Sequence, residues 1–156
     1  MARIGVIGLL LAALVGGCAY NGLQFVRDDR LQIVGPRENE RVRIPFTVDW
    51  KLKGYTGRVG VFFDRAPMAT KKGLLSLVGR NDPCRRRSDC PDTTWLSQHG
   101  VYVVDRAPLR VDFLEDLRAS HNVADRHTMS IVLLDGANRR VGEATFVREF
   151  IVDRKV

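Results

Sequence analysis

The longest alternation of apolar and polar residues runs from Val42 to Leu52. Val42, Ile44, Phe46, Val48, Trp50 and Leu52 alternate with Arg43, Pro45, Thr47, Asp49 and Lys51. A period of two predicts one half-buried β-strand over this stretch, with Trp50 in the core. Pro45 belongs at a sheet edge or a strand beginning, because it has no N–H for a ladder. A shorter strand, Leu31 to Val34, precedes it and is stopped by Gly35-Pro36; the charged run "RENER" then makes a surface turn. "RVGVFFD" (58–64) gives another strand after the turn "GYTG". "TMSIVLLD" (128–135) has four consecutive apolar residues, Ile131 to Leu134, as expected of a strand covered on both faces. Asp135-Gly136 opens a hairpin loop, and "VGEATFVREFIVD" returns as the last strand. Its pattern slips between Phe146 and Phe150, which predicts a bulge near Val147–Arg148.

Between these strands lies a connection over residues 65–99, long enough to need structure of its own. "GLLSLV" (73–78) reads as a strand or a single helical turn tucked over the sheet. "DTTWLSQHG" (92–100) reads as a short helix with Asp92 at the N-cap and Gly100 just past its end. After Pro108, "LRVDFLEDL" begins as a strand and drifts into a turn or helical stub near Leu114–Ala119; "SHNVADRH" (120–127) reads as a polar loop. "GVFFDRAPM" (60–68) and "GVYVVDRAPL" (100–109) echo one another. The echo reads either as two independent strand ends, since aspartate and proline are good strand terminators, or as a small duplication.

About seven strands with regularly spaced turns and little helix predict an all-β sandwich of immunoglobulin-like kind, with one or two short helices in the 65–99 connection. The stretch "HTMSIVLLDGANRRVGEATFVREFIV" resembles the last hairpin of many bacterial immunoglobulin-like domains. That resemblance implies a fold and no activity. It also departs from the antibody-like type, whose disulfide bridges the two sheets, because Cys84 and Cys90 are too close in sequence for that role.

The first residues change the picture of where such a domain works. Arg3 precedes an apolar run from Ile4 to Val15, followed by Gly16-Gly17-Cys18, the layout of an export signal. At roughly 1.5 Å per residue the run is short of the ~20 residues that a bilayer span needs. Val15-Gly16-Gly17-Cys18 resembles the lipobox of bacterial lipoproteins. The resemblance implies cleavage before Cys18, diacylation of its sulfur, and anchoring by acyl chains at about 0.8 kcal/mol per buried methylene. The expected organisation is a signal peptide (1–17), a tether (18–29) and one domain (30–156). The expected address is the cell envelope, on the outer leaflet of the cytoplasmic membrane or on the outer membrane. The lipid makes the membrane the first expected partner.

In an oxidising compartment Cys84 and Cys90 are best read as a structural disulfide. A spacing of five residues lacks the pairs expected of a zinc site or a C-x-x-C redox motif. The ring encloses Arg85, Arg86 and Arg87, a solvated basic turn or a candidate anion contact. The formal net charge is +7, with no nucleic-acid-binding signature to accompany it. An acidic envelope polymer or another envelope protein is the expected counterpart, and nucleic acid is not. No motif asks for a cofactor, and no G-x-S-x-G, H-E-x-x-H or S-x-x-K signature occurs. A non-catalytic binding or accessory domain is therefore expected. Two minor alternatives stand. One is an exported copper- or small-ligand-binding module built on His127 and Met129, which share a strand face, with Met68, His99 and His121 as the further ligands available. The other is a hydrolase, which needs a histidine–carboxylate contact beside a hydroxyl in a cleft. Asp64, Asp105, Glu115 and Asp116 read as turn residues.

Overall fold

The computed structural model describes residues 28–114 and 124–153. These form two sheets and a covering segment. One sheet has the order β1 (Leu31–Gly35), β3 (Phe46–Leu52), β6 (Leu109–Val111). The other has the order β2 (Glu40–Val42), β8 (Phe146–Asp153), β7 (Ala124–Leu134), β4 (Arg58–Phe63), β5 (Val101–Val104). Only β2 and β8 run parallel; the other pairs are antiparallel. The opening strand is divided between the sheets and β5 is added beside β4, an immunoglobulin-type arrangement.

The Val42–Leu52 alternation is not one strand. The chain leaves the larger sheet after Val42, crosses at Arg43–Pro45 and joins the smaller sheet at Phe46. Pro45 sits where a ladder donor would be missing, so the crossover falls there. Ile44, which the alternation turns inward, is 37% exposed. This split makes eight strands where about seven were expected. The polar run 120–127 also differs in part: Ala124–His127 extend β7, pairing with Asp153–Phe150. No bulge interrupts β8, whose register against β7 is continuous from Ala124↔Asp153 to Ile131↔Phe146. The apparent slip comes from Arg148, a half-buried cation at an inward-parity position, 4.0 Å from Glu38. A register shift falls instead between Ile33 and Gly35 in β1.

Two cores share the strands of the larger sheet. Odd-numbered positions of β4 and β7 (Val59, Val61, Phe63; Met129, Ile131, Leu133) face the smaller sheet and meet Val48, Trp50 and Val111. Phe46, Phe63 and Phe150 pack there with ring centroids 5.3–6.1 Å apart. Even-numbered positions (Phe62; Val132, Leu134) face away and bury Met68 and Leu96 of the 65–99 segment, together with Val101 of β5. That segment is therefore a cap on the outer face of the sheet. It contains a 3₁₀ turn at Leu74–Leu77, another at Pro83–Arg86, and α1 (Thr93–Gln98). Asp92 caps α1 by accepting from Trp95 N at 2.7 Å. Gly100, at φ +68, ends it, with the position of an added Cβ only 3.0 Å from Phe63 O.

Candidate functional site

The cap is held in place by apolar contacts, a disulfide and three arginines. Cys84 and Cys90 are joined, with Cα atoms 5.3 Å apart, and they bury with Val78 against Trp95. Arg65 donates to the carbonyls of His99 and Leu77 (both 3.3 Å). Arg85 donates to Val78 O (2.9 Å) and Gly79 O (3.0 Å). Arg140, from the β7–β8 hairpin, donates to Met68 O (2.8 Å), Glu143 O (2.6 Å) and Thr145 Oγ1 (2.7 Å). Arg65 meets carbonyls alone, and Arg140 meets carbonyls and a hydroxyl with the charge of Glu143 nearby. Burial lowers both of their pKa values from the ordinary guanidinium range.

The three arginines inside the disulfide ring therefore have three different roles. Arg85 closes the ring's backbone onto Val78 and Gly79. Arg87 pairs with Asp89 (2.9 Å) and Asp92 (2.7 Å), and those hydrogen bonds raise its pKa. Arg86 is exposed and has no ion-pair partner among the described residues. Lys71, Lys72 and Arg80 of the cap are likewise exposed. Residues 65–99 contain seven basic and three acidic residues, a net of +4 out of +7 for the whole chain. The cap is thus the main seat of positive charge.

Where the cap meets the hairpin there is an open groove of about 370 Å³, lined by Leu74, Leu75, Ser88, Asp89, Pro91 and Asn138, among others. Leu75 is 50% exposed at its edge. Backbone bonds fix the seam beside it: Lys71 N donates to Arg140 O (2.9 Å) and Arg140 N to Lys72 O (3.0 Å).

His127 and Met129 do share a face, and that face is the sandwich core. Met129 is fully buried. His127 Nδ1 donates to Asp64 Oδ2 at 2.5 Å, and its ring lies 5.7 Å from that of Phe150 at 28°. Met68 lies in the second core, across the sheet, and His99 stacks on Trp95 at 3.9 Å with Nδ1 on Trp95 O. The fold does not bring these candidate ligands together. His121 and Cys18 lie outside the described residues, as do Glu115 and Asp116. No cluster of three or more His, Cys, Asp or Glu able to hold a metal occurs among the described residues.

Sequence reasoning missed the Asp64–His127 pair. Asp64 follows β4 in the left-handed region (φ 53) and folds its carboxylate back, Oδ1 accepting Thr128 N at 2.8 Å. The partners are 63 residues apart, so no local pattern announces them. Thr128, the adjacent hydroxyl, alternates to the opposite face of β7. The pair therefore closes the end of the β4–β7 ladder with a polar clasp. Asp105, in the echoing "DRAP", is exposed and bonds Arg58 (2.7 Å). The two sequence echoes are structurally unlike at the residue that matters.

No protein-family model, curated protein or solved structure matches the chain.

Proposed function

We propose that this chain is a lipid-anchored, non-catalytic binding domain of the cell envelope, and that the basic cap over residues 65–99 is its contact surface for anionic groups. The lipobox-like Val15-Gly16-Gly17-Cys18 supports the anchor. The observation that carries the contact surface is the separation of roles among the cap's cations. Arg65, Arg85 and Arg140 hold backbone carbonyls, whereas Lys71, Lys72, Arg80 and Arg86 are exposed, Arg86 within the disulfide ring. Cations with no internal partner can meet a phosphate or carboxylate without first breaking an ion pair, which favours anionic ligands.

Two measurements on full-length protein extracted from its native membrane test this. Its intact mass should fit residues 18–156 plus acyl chains and gain two hydrogens on reduction. Titration with inorganic phosphate should move the amide resonances of Lys71, Lys72 and Arg86, and leave those of Arg41 and Arg110, which pair with Asp153 and Asp112, in place. An unacylated mass refutes the anchor. Shifts spread evenly over all arginines, or none, refute the contact surface.

A further inference from the structure

On the lipid-anchor reading the tether joins the domain near Arg30, and the contacts of Arg30 locate that junction. Arg30 O accepts from Lys53 N (2.8 Å), so this point adjoins the β3–β4 turn. An added Cβ on Gly142 (φ +74) would lie 3.0 Å from Arg30 Nη2, so it also adjoins the β7–β8 hairpin. Gly142 is touched from the other side by the cap, through Thr70 Oγ1 on its carbonyl (3.0 Å). Lys71 and Lys72 follow directly, bonded to Arg140 of the same hairpin. The exit of the tether and the free lysines of the cap are therefore at one end of the sandwich, joined through one hairpin.

The charge at this end is biased by its pairing. Asp28, Asp105 and Asp135 are held by Arg30, Arg58 and Arg139 respectively. Asp29 and Glu143 add further negative charge. Lys53, Lys71, Lys72 and Arg106 are exposed with no ion pair among the described residues. The half-exposed Leu75 borders the adjoining groove.

We infer that this end is the membrane-facing end of the protein, and that Lys53, Lys71 and Lys72 contact anionic phospholipid headgroups and set the domain's orientation. The inference rests on the lipid-anchor reading. Residues 18–27 reach at most about 35 Å when fully extended. The eleven residues of β7 span about the same distance. Laying the opposite end on the bilayer would stretch the tether along the whole sandwich, whereas laying this end on it requires no extension. Cations within a Debye length, about 10 Å, of an anionic surface are attracted to it. The acyl chains on Cys18 supply the anchoring on this reading, so the basic residues are asked only to set the orientation.

The experiment uses the full-length acylated protein in vesicles of phosphatidylcholine alone, or with about a third phosphatidylglycerol, and reads trace acetylation of each lysine by mass spectrometry. Phosphatidylglycerol should lower the reactivity of Lys53, Lys71 and Lys72 by about fivefold each, the factor expected of ~1 kcal/mol per cation, and high salt should restore it. In the K53Q/K71Q/K72Q variant, the protein released from phosphatidylglycerol vesicles by brief protease cleavage of the tether should no longer rebind. An acylated protein whose lysines react equally in both vesicles overturns the orientation and leaves the anchor standing. Stronger protection by soluble polyphosphate than by the vesicles overturns it in favour of an acidic polymer. An unacylated mass removes the anchor and this inference together.

Discussion

Asp64 ties the end of β4 to β7 through three hydrogen bonds. Its backbone N–H bonds Thr128 O (2.8 Å), its carboxylate takes Thr128 N and His127 Nδ1, and its φ of 53 lies where non-glycine residues are uncommon. Asp64→Ala removes both side-chain acceptors and keeps the backbone cost. With each unmet donor costing about 1–3 kcal/mol, a loss of roughly 3 kcal/mol is expected in urea denaturation. Asp64→Gly removes the same acceptors and relieves about 1 kcal/mol of left-handed strain, so it should be the milder variant. If alanine proves no worse than glycine, the backbone conformation contributes nothing. If neither variant loses stability, the clasp is idle. Serial deletion of Arg85 and Arg86 belongs at the same scale. Arg85 holds two carbonyls and Arg86 holds none, so Arg85→Gln should cost stability and Arg86→Gln should stay within about 0.5 kcal/mol of the parent.

Among the elements, what could be read in advance was whatever depends on local rules. The cap helix, with Asp92 before it and Gly100 after it, follows from capping chemistry. The doubly buried β7 follows from four consecutive apolar residues. The Cys84–Cys90 pairing follows from a spacing that suits neither a zinc site nor a C-x-x-C motif. What could not be read depends on contacts distant in sequence. The switch of sheets at Arg43–Pro45 leaves the period-two pattern intact, because Val42 and Phe46 face the same core from opposite sheets. The clasp at Asp64 and the carbonyl roles of Arg65, Arg85 and Arg140 have no signature at all. The cap's dependence on its disulfide is a further expectation at this scale. Closing a ring of about seven residues restricts the unfolded chain by roughly 2 kcal/mol. The Cys84→Ser/Cys90→Ser double variant should lose about that much. Its amide exchange should rise mainly within 74–92, while amides of β7 stay protected. Exchange that rises equally in β7 would mean the cap is not a separable element.

For the whole molecule, the decisive feature is that β4 and β7 are shared. One face of each supplies the sandwich core (Val59, Val61, Met129, Ile131) and the other supplies the floor of the cap (Phe62, Val132, Leu134). Neither core can melt completely without exposing the strands that bury the other. This differs from two units joined by a linker, where apolar surface is divided and melting can be divided too. With the disulfide intact, the domain should therefore unfold in one calorimetric transition. Its enthalpy should be about 80 kcal/mol near 60 °C, from ~0.7 kcal/mol per ordered residue, and should equal the van't Hoff value. Leu96→Ala, which truncates one of the cap's buried contacts with the second core, should lower the midpoint of that single transition by the equivalent of about 2–4 kcal/mol and should not split it. Two resolved transitions in the parent would show that the shared strands do not couple the cores. The cap would then be a loosely docked cover that melts apart from the sandwich.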